Sequence, residues 1–219
     1  MCKYVTKKEL KEPKKILNDW IIRVQKTIKK EYKITFSFNL IGSGKRNLVI
    51  KSCNTNWFDL DCQLVIQKTP KEFNLKGNAK KVKEIFRKAF DREKPDGFSN
   101  CEDSTQALTS KNKKGQYSYD IIITYYETNE LFILRNDKNS NDANNKDYKW
   151  AQKGDMKEFY ENYKKISGSD MWNHLRNLYI NKRHSYKDNI DSTRKKSYQI
   201  LNESVNETLK HFRKLQNRA

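Results

Sequence analysis

Residues 40–67 read LIGSGKRNLVIKSCNTNWFDLDCQLVIQ. Upstream, Ile34, Phe36, Phe38 and Leu40 alternate with polar residues, so residues 33–40 form a strand with one apolar side. Gly42 and Ser43 break that strand, and a short helix is expected from Lys45. Residues 54–57 read as a loop. Residues 58–67 then form a second strand that ends before Pro70. Side chains two apart on a strand share a face, so Asp59 and Asp61 project together. Two carboxylates placed this way repel each other unless a cation lies between them. Gly42 permits an unusual backbone angle and close approach of a ligand. Ser43 is expected to cap the following helix and to lie among N–H groups suited to phosphate. Lys45 and Arg46 are the neighbouring cations.

The remaining pattern supplies context for that stretch. Residues 7–31 form an amphipathic helix through Leu17, Trp20, Ile21, Val24 and Ile28. Val82, Ile85, Phe86, Ala89 and Phe90 give residues 78–91 an apolar stripe, and Pro95 and Gly97 end that helix. Residues 98–116 are polar and read as a long loop. Residues 117–126 form a strand with Ile121, Ile122 and Ile123 at its centre, and Asp120 leads into that run. Residues 131–135 form a partner strand. Residues 136–147 are almost all Asn, Asp, Lys and Ser, a solvated loop. Three helical patterns follow, through Met156–Ile166, Met171–Tyr179 and Tyr198–Leu215. The fold class is therefore α+β, an α/β-mixed sheet core followed by a helical region. The expected division is residues 1–135 as the core, 136–149 as a flexible polar loop and 150–219 as a helical C-terminal region.

If the strand of Asp120 pairs beside that of Asp59 and Asp61, three carboxylates meet. Mg²⁺ prefers few carboxylates together with water and substrate phosphates. The cluster therefore suits Mg²⁺ or Mn²⁺ carrying a nucleoside triphosphate. Two such ions could activate an attacking hydroxyl and bind the leaving phosphates.

The pattern of a hydrophobic residue, Gly-Ser, a gap, then Asp-Leu-Asp and a later acidic strand residue resembles the signature of the DNA polymerase beta-like nucleotidyltransferase superfamily. Within it, the chain is most similar to the cyclic GMP-AMP synthase and oligoadenylate synthetase branch and its bacterial relatives. The resemblance implies a small mixed sheet flanked by helices, with a helical C-terminal region. It implies that Gly42 and Ser43, with Lys45 and Arg46 near them, bind the nucleotide. It also implies that Asp59, Asp61 and Asp120 are both metal ligands and catalytic residues, Asp120 helping to activate the acceptor hydroxyl.

Composition sets the wider frame. Lys and Arg number 46 against 27 Asp and Glu, a net charge of +19 over 219 residues. Such an excess favours a polyanionic partner, RNA or DNA as well as nucleotides; it is equally the mark of a Lys-rich solvated surface. Protein, a second nucleotide or a small molecule stay open as acceptors. Two other readings stand beside the enzyme: an inactive basic nucleic-acid-binding module on the same fold, and a toxin–antitoxin component. Tyr125 and Tyr126 read as hairpin packing or as a base-stacking surface. His174, His184 and His211 are scattered without a Ser or Cys partner, which argues against nucleophilic catalysis. Cys2, Cys53, Cys62 and Cys101 form no CxxC pair and are expected to be free thiols. No apolar run nears the ~20 residues of a membrane span, so no membrane partner is expected. With no secretory pattern at the N-terminus, the expected location is the cytoplasm.

Overall fold

The structure, a computed structural model, describes residues 2–52, 55–136, 147–188 and 196–217. The chain divides into two compact units. The larger comprises residues 5–49 and 56–153; the smaller comprises 1–4, 50–55 and 154–219.

The larger unit opens with helix α1 (Lys7–Tyr32), whose Thr6 side chain and Glu9 close a reciprocal capping box. Strand β2 (Thr35–Leu40) and the one-turn helix α2 (Gly42–Arg46) follow. Then come β4 (Phe58–Lys68), helix α3 (Ala79–Arg92), β5 (Glu102–Asp103), β6 (Leu108–Asn112), β7 (Tyr117–Glu127), β8 (Glu130–Asn136) and β9 (Tyr148–Gln152). The short strands β1 (Lys3–Tyr4) and β3 (Ile50–Lys51) belong to the smaller unit. The sheet of the larger unit has the order β2-β4-β7-β6-β5, with β8 also on β7 and β9 on β8. It is a mixed sheet: β4 and β7 run parallel, and the other pairs are antiparallel. The parallel pair needs a crossover, and α3 lies within it. β7 serves two partners along one edge, pairing through Tyr117–Ile121 with β6 and through Thr124–Glu127 with β8. The β7–β8 turn holds Thr128 and Asn129 at φ 47° and 70°. Two successive left-handed residues match the twist of a tight hairpin.

One face of this sheet carries the core. Leu60, Cys62 and Leu64 of β4 and Tyr119, Ile121 and Ile123 of β7 are buried in the same cluster as the apolar stripes of α1 and α3. Trp20 is fully buried, and its Nε1 donates to the Phe90 carbonyl at 3.1 Å. Tyr119 stacks on Phe98 at 5.2 Å and donates its hydroxyl to the Pro13 carbonyl at 2.6 Å. Lys83, only 2% exposed on α3, pairs with Asp103 of β5 at 3.2 Å. Tyr148 of β9 donates to the same carboxylate.

In the smaller unit β1 pairs with β3. Helices α4 (Lys157–Ile166), α5 (Met171–Asp188) and α6 (Ser197–Gln216) follow the expected helical patterns. Phe159, Ile166, Leu175, Tyr179, Leu201 and Val205 are buried there. The Arg176 guanidinium lies 3.9 Å from the centre of the Tyr4 ring, and Tyr4 donates to the Arg176 carbonyl at 2.8 Å.

Several local expectations need correction. Residues 98–116 are not a simple loop, because they contain β5 and β6. These strands are short; β5 carries no apolar residue and β6 only Leu108, too few to alternate visibly. Helices do not follow directly after the Asn-rich stretch, since β9 intervenes. The one-turn helix begins at Gly42, before Lys45. Cys2 is disulfide-bonded, whereas Cys62 and Cys101 are free and buried. Cys53 and most of the expected flexible loop, residues 137–146, lie outside the described residues.

Candidate active site

The face of the sheet opposite the core is polar at its centre. Along β4, Phe58, Leu60, Cys62 and Leu64 are buried, whereas Asp59 is exposed and Asp61 half-buried. Period-two alternation puts the two aspartates on the non-core face. On β7, Tyr119 and Ile121 turn to the core, so Asp120 between them turns away. The parallel register then matters. Asp59 is level with Ser118, and Asp61 is level with Asp120. The structure therefore brings the three aspartates together on adjacent strands.

Each carboxylate has a different setting. Asp59 accepts a hydrogen bond from the Ser118 hydroxyl, which itself accepts from Trp57 Nε1 at 3.2 Å. Asp120 Oδ1 accepts from Thr109 Oγ1 at 2.6 Å, across the β6–β7 pairing. Asp61 lies against the turn that ends β2: its carbonyl accepts from the Ile41 N–H at 3.0 Å. Burial pushes the Asp61 carboxyl up to about 7, and the negative charges of Asp120 and Asp59 add to this while Arg46 opposes it. Asp120 is also raised, first by burial; the Thr109 hydrogen bond opposes the rise, and Asp59 adds to it. These are the shifts expected of acids crowded out of water with too little positive charge. The neighbouring thiol of Cys62 is pushed up to about 12 by burial on the opposite face, which leaves it inert as a nucleophile.

The Gly42 turn closes one side of the site. Gly42 has φ +59°, and a side chain there would overlap the Asp61 carboxylate. Glycine is thus required twice over, for its left-handed backbone and for the space it leaves. Gly44 packs on Leu60, and its carbonyl accepts from Lys14 Nζ of α1 at 3.2 Å. Arg46 Nη1 donates to the Gly42 carbonyl at 2.9 Å, so this cation braces the turn. Lys45 is exposed. Ser43 does not cap α2: Ile41 holds the cap position without a side-chain hydrogen bond, and Ser43 lies inside the first turn. Its carbonyl accepts from the N–H groups of Asn47 and Leu48, which closes the helix end.

Among the described residues, no group of three or more His, Cys, Asp or Glu side chains forms a ready-made metal cage. The donor set nevertheless fits Mg²⁺ or Mn²⁺. Such ions are held by one or two carboxylates plus water and phosphate oxygens more readily than by all-protein cages. Buried acids with raised affinity for protons also have an unmet need for a cation. Sequence reasoning missed Ser118, Thr109 and Trp57. Ser118 was findable, being two residues before Asp120 on the same strand face; Thr109 lay in a stretch that reads as loop.

No protein-family model matches the sequence, and no curated protein matches it. Solved structures do match. Vibrio cholerae DncV cyclic AMP-GMP synthase, described as a prokaryotic cGAS homolog, superposes with a TM-score of 0.52 and 13% identity, over 80% of this chain and 60% of that one. The same enzyme in complex with the linear intermediate 5′ pppA(3′,5′)pG superposes with a TM-score of 0.53 and 13% identity, over 80% and 59%. Its 3′-deoxy GTP bound form gives 0.53 and 13%, again over 80% and 59%. This chain has the DncV fold. At such identity the likeness is one of backbone, and the chain spans about 60% of the length of these three DncV structures. Six helices and a multistranded mixed sheet, counted among the described residues, make up its version of that fold.

Proposed function

We propose that this chain is a metal-dependent nucleotidyltransferase. It takes a nucleoside triphosphate, transfers the nucleotidyl group to a hydroxyl acceptor and releases pyrophosphate. The observation that carries this reading is the level register of Asp61 with Asp120, with Asp59 two residues away and the Gly42 turn alongside. The DncV fold supports it, because DncV is a cyclic AMP-GMP synthase and its structures include a linear nucleotide intermediate and a bound 3′-deoxy GTP.

Bound Mg²⁺ or Mn²⁺ would supply charge neutralisation at the phosphates and a lowered acidity barrier for the attacking hydroxyl. Asp59, Asp61 and Asp120 would hold the ions, with Asp120 also serving the acceptor hydroxyl. The acceptor oxygen forms a bond to the α-phosphorus as the bond to the pyrophosphate oxygen breaks. The hydroxyl proton passes to the Asp120 carboxylate. Gly42 keeps the turn close enough for its backbone to approach the triphosphate, with Ser43, Lys45 and Arg46 at the same turn as further nucleotide contacts. Positioning and electrostatics contribute most of the rate in such a site. The sheet-bearing region carries the chemistry, the helical residues 154–219 are accessory to it, and the cytoplasm supplies the nucleotide. RNA or DNA is the acceptor class favoured by the +19 charge.

The test is transfer of label from α-³²P nucleoside triphosphates, run with Mn²⁺ and with total RNA or DNA present or absent. Asp59→Ala with Asp61→Ala should abolish transfer while the fold survives. Label transfer that persists in that double variant rejects the assignment. An inactive parent that still binds nucleic acid would identify a binding module instead.

A further inference from the structure

We propose that Ser118 and Thr109 are positioning residues for the aspartate cluster: each hydroxyl fixes one oxygen of its carboxylate and so presents the other to a divalent cation. This rests on the nucleotidyltransferase reading of Asp59, Asp61 and Asp120.

The two flanking aspartates are treated alike. Ser118 comes from β7 and stands level with Asp59 on β4; Thr109 comes from β6 and stands level with Asp120 on β7. Each aspartate thus receives its hydroxyl from the adjacent strand at its own level. The Ser118 hydroxyl gives its one hydrogen to Asp59, and its oxygen accepts from Trp57 Nε1 at 3.2 Å. Ser118 is only 3% exposed, which holds its hydroxyl in place.

Strand cohesion does not account for these bonds. β4 and β7 are already paired through their backbones from Phe58–Tyr117 to Ile66–Tyr125. What the hydroxyls do restrict is the carboxylate torsion, which is broad and two-fold when nothing constrains it. Asp61 has no need of such a device, because burial and the Gly42 turn confine it. A carboxylate has two oxygens, and a single hydroxyl engages one of them. Outer partners of this kind tune ion affinity by orienting the ligands they touch.

Mn²⁺ alone is the probe, titrated into the intact protein by calorimetry and by electron paramagnetic resonance of the free ion. Ser118→Ala and Thr109→Val should each weaken Mn²⁺ binding about tenfold. Thr109→Ser, which restores the hydroxyl, should bind within about twofold of the parent, an outcome that a purely volumetric role would not produce. Should Ser118→Ala lower the melting temperature of the ion-free protein, the Val and Ser variants of Thr109 decide by themselves. Parental affinity in Thr109→Val and Ser118→Ala, with Asp61→Asn weakened, would overturn the positioning role and leave the reading of the aspartates intact. Equal affinity in Asp61→Asn and the parent would overturn both.

Discussion

Gly42 and Asp61 are the pair on which the site's shape depends. Gly42→Ala would place a methyl group against a short, half-buried carboxylate that has little room to retreat. The left-handed backbone adds about 1–2 kcal/mol of strain for any L residue. We expect the variant to fold with reduced stability and to lose about 100-fold in transfer rate through displacement of Asp61, since misplacement by about 1 Å costs that much. Chemical denaturation and single-turnover assays would separate the two effects. Asp61 also predicts a pH dependence. Its carboxyl sits near 7 in the folded ion-free chain, against about 4 when unfolded. Between those values the folded state holds a proton that the unfolded state has lost. Stability from this group is therefore present at low pH and lost as pH rises through 7. Asp61→Asn has no such proton to lose. In EDTA its melting temperature should match the parent near pH 4 and exceed it by roughly 10 °C at pH 8, on about 1.4 kcal/mol per pH unit and about 2–4 °C per kcal/mol. A difference that stays flat from pH 4 to pH 8 would exclude Asp61 as the titrating group. The aspartates and Gly42 were legible in the sequence because alternation and a turn residue have one simple geometric meaning each. The role assigned to Ser43 as a cap was not, because the helix starts two residues earlier than Ser43 requires.

At the level of elements, the long ones were legible and the short ones were not. Helices α1 and α3 and strands β4 and β7 each repeat apolar residues over enough positions for the period to show. Strand β6 buries Leu108 and Ser110 on one face, so its inward pattern contains a single apolar side chain. Strand β9 is five residues long and only half-buried. Both are held by pairing to strands far away in sequence, which no local pattern encodes. Lys83 is a related case: it lies within the apolar stripe of α3 because Asp103, itself held by the Tyr148 hydroxyl, meets it in the interior. The interior position of α1 makes a further prediction. Trp20 is in edge-to-face contact with Phe90 at 5.3 Å and also donates to its carbonyl. Trp20→Ala should cost about 3–5 kcal/mol, the usual range for removing a large buried aromatic. Urea denaturation measures it, and a loss below about 1 kcal/mol would mean that α1 is not packed against α3 in the manner described.

For the molecule as a whole, charge is the property that most bears on the acceptor. The chain carries +19, and the larger unit presents its carboxylates on a polar sheet face that would otherwise repel phosphate. A cation at the aspartates and a basic surface elsewhere would act in series, the first local and dry, the second long-range and screened by salt. The disulfide at Cys2 departs from the free thiols that the cysteine spacing suggested, since spacing along a sequence does not report which sulfurs meet in space. Among the described residues no helix is long and apolar enough to cross a membrane. The charge then has a measurable signature. If a single-stranded RNA is the acceptor and about five of its phosphates are contacted, the logarithm of affinity should fall with the logarithm of salt at a slope of about −3.5. That amounts to about a 100-fold weakening between about 50 and 200 mM KCl, readable by fluorescence anisotropy with a labelled 20-mer. Transfer to RNA should decline over the same range, whereas transfer to a free nucleotide acceptor, which contacts few phosphates, should change little. An affinity for RNA that ignores salt would show that the lysines are a solvated surface, and it would move the search for the acceptor to small molecules.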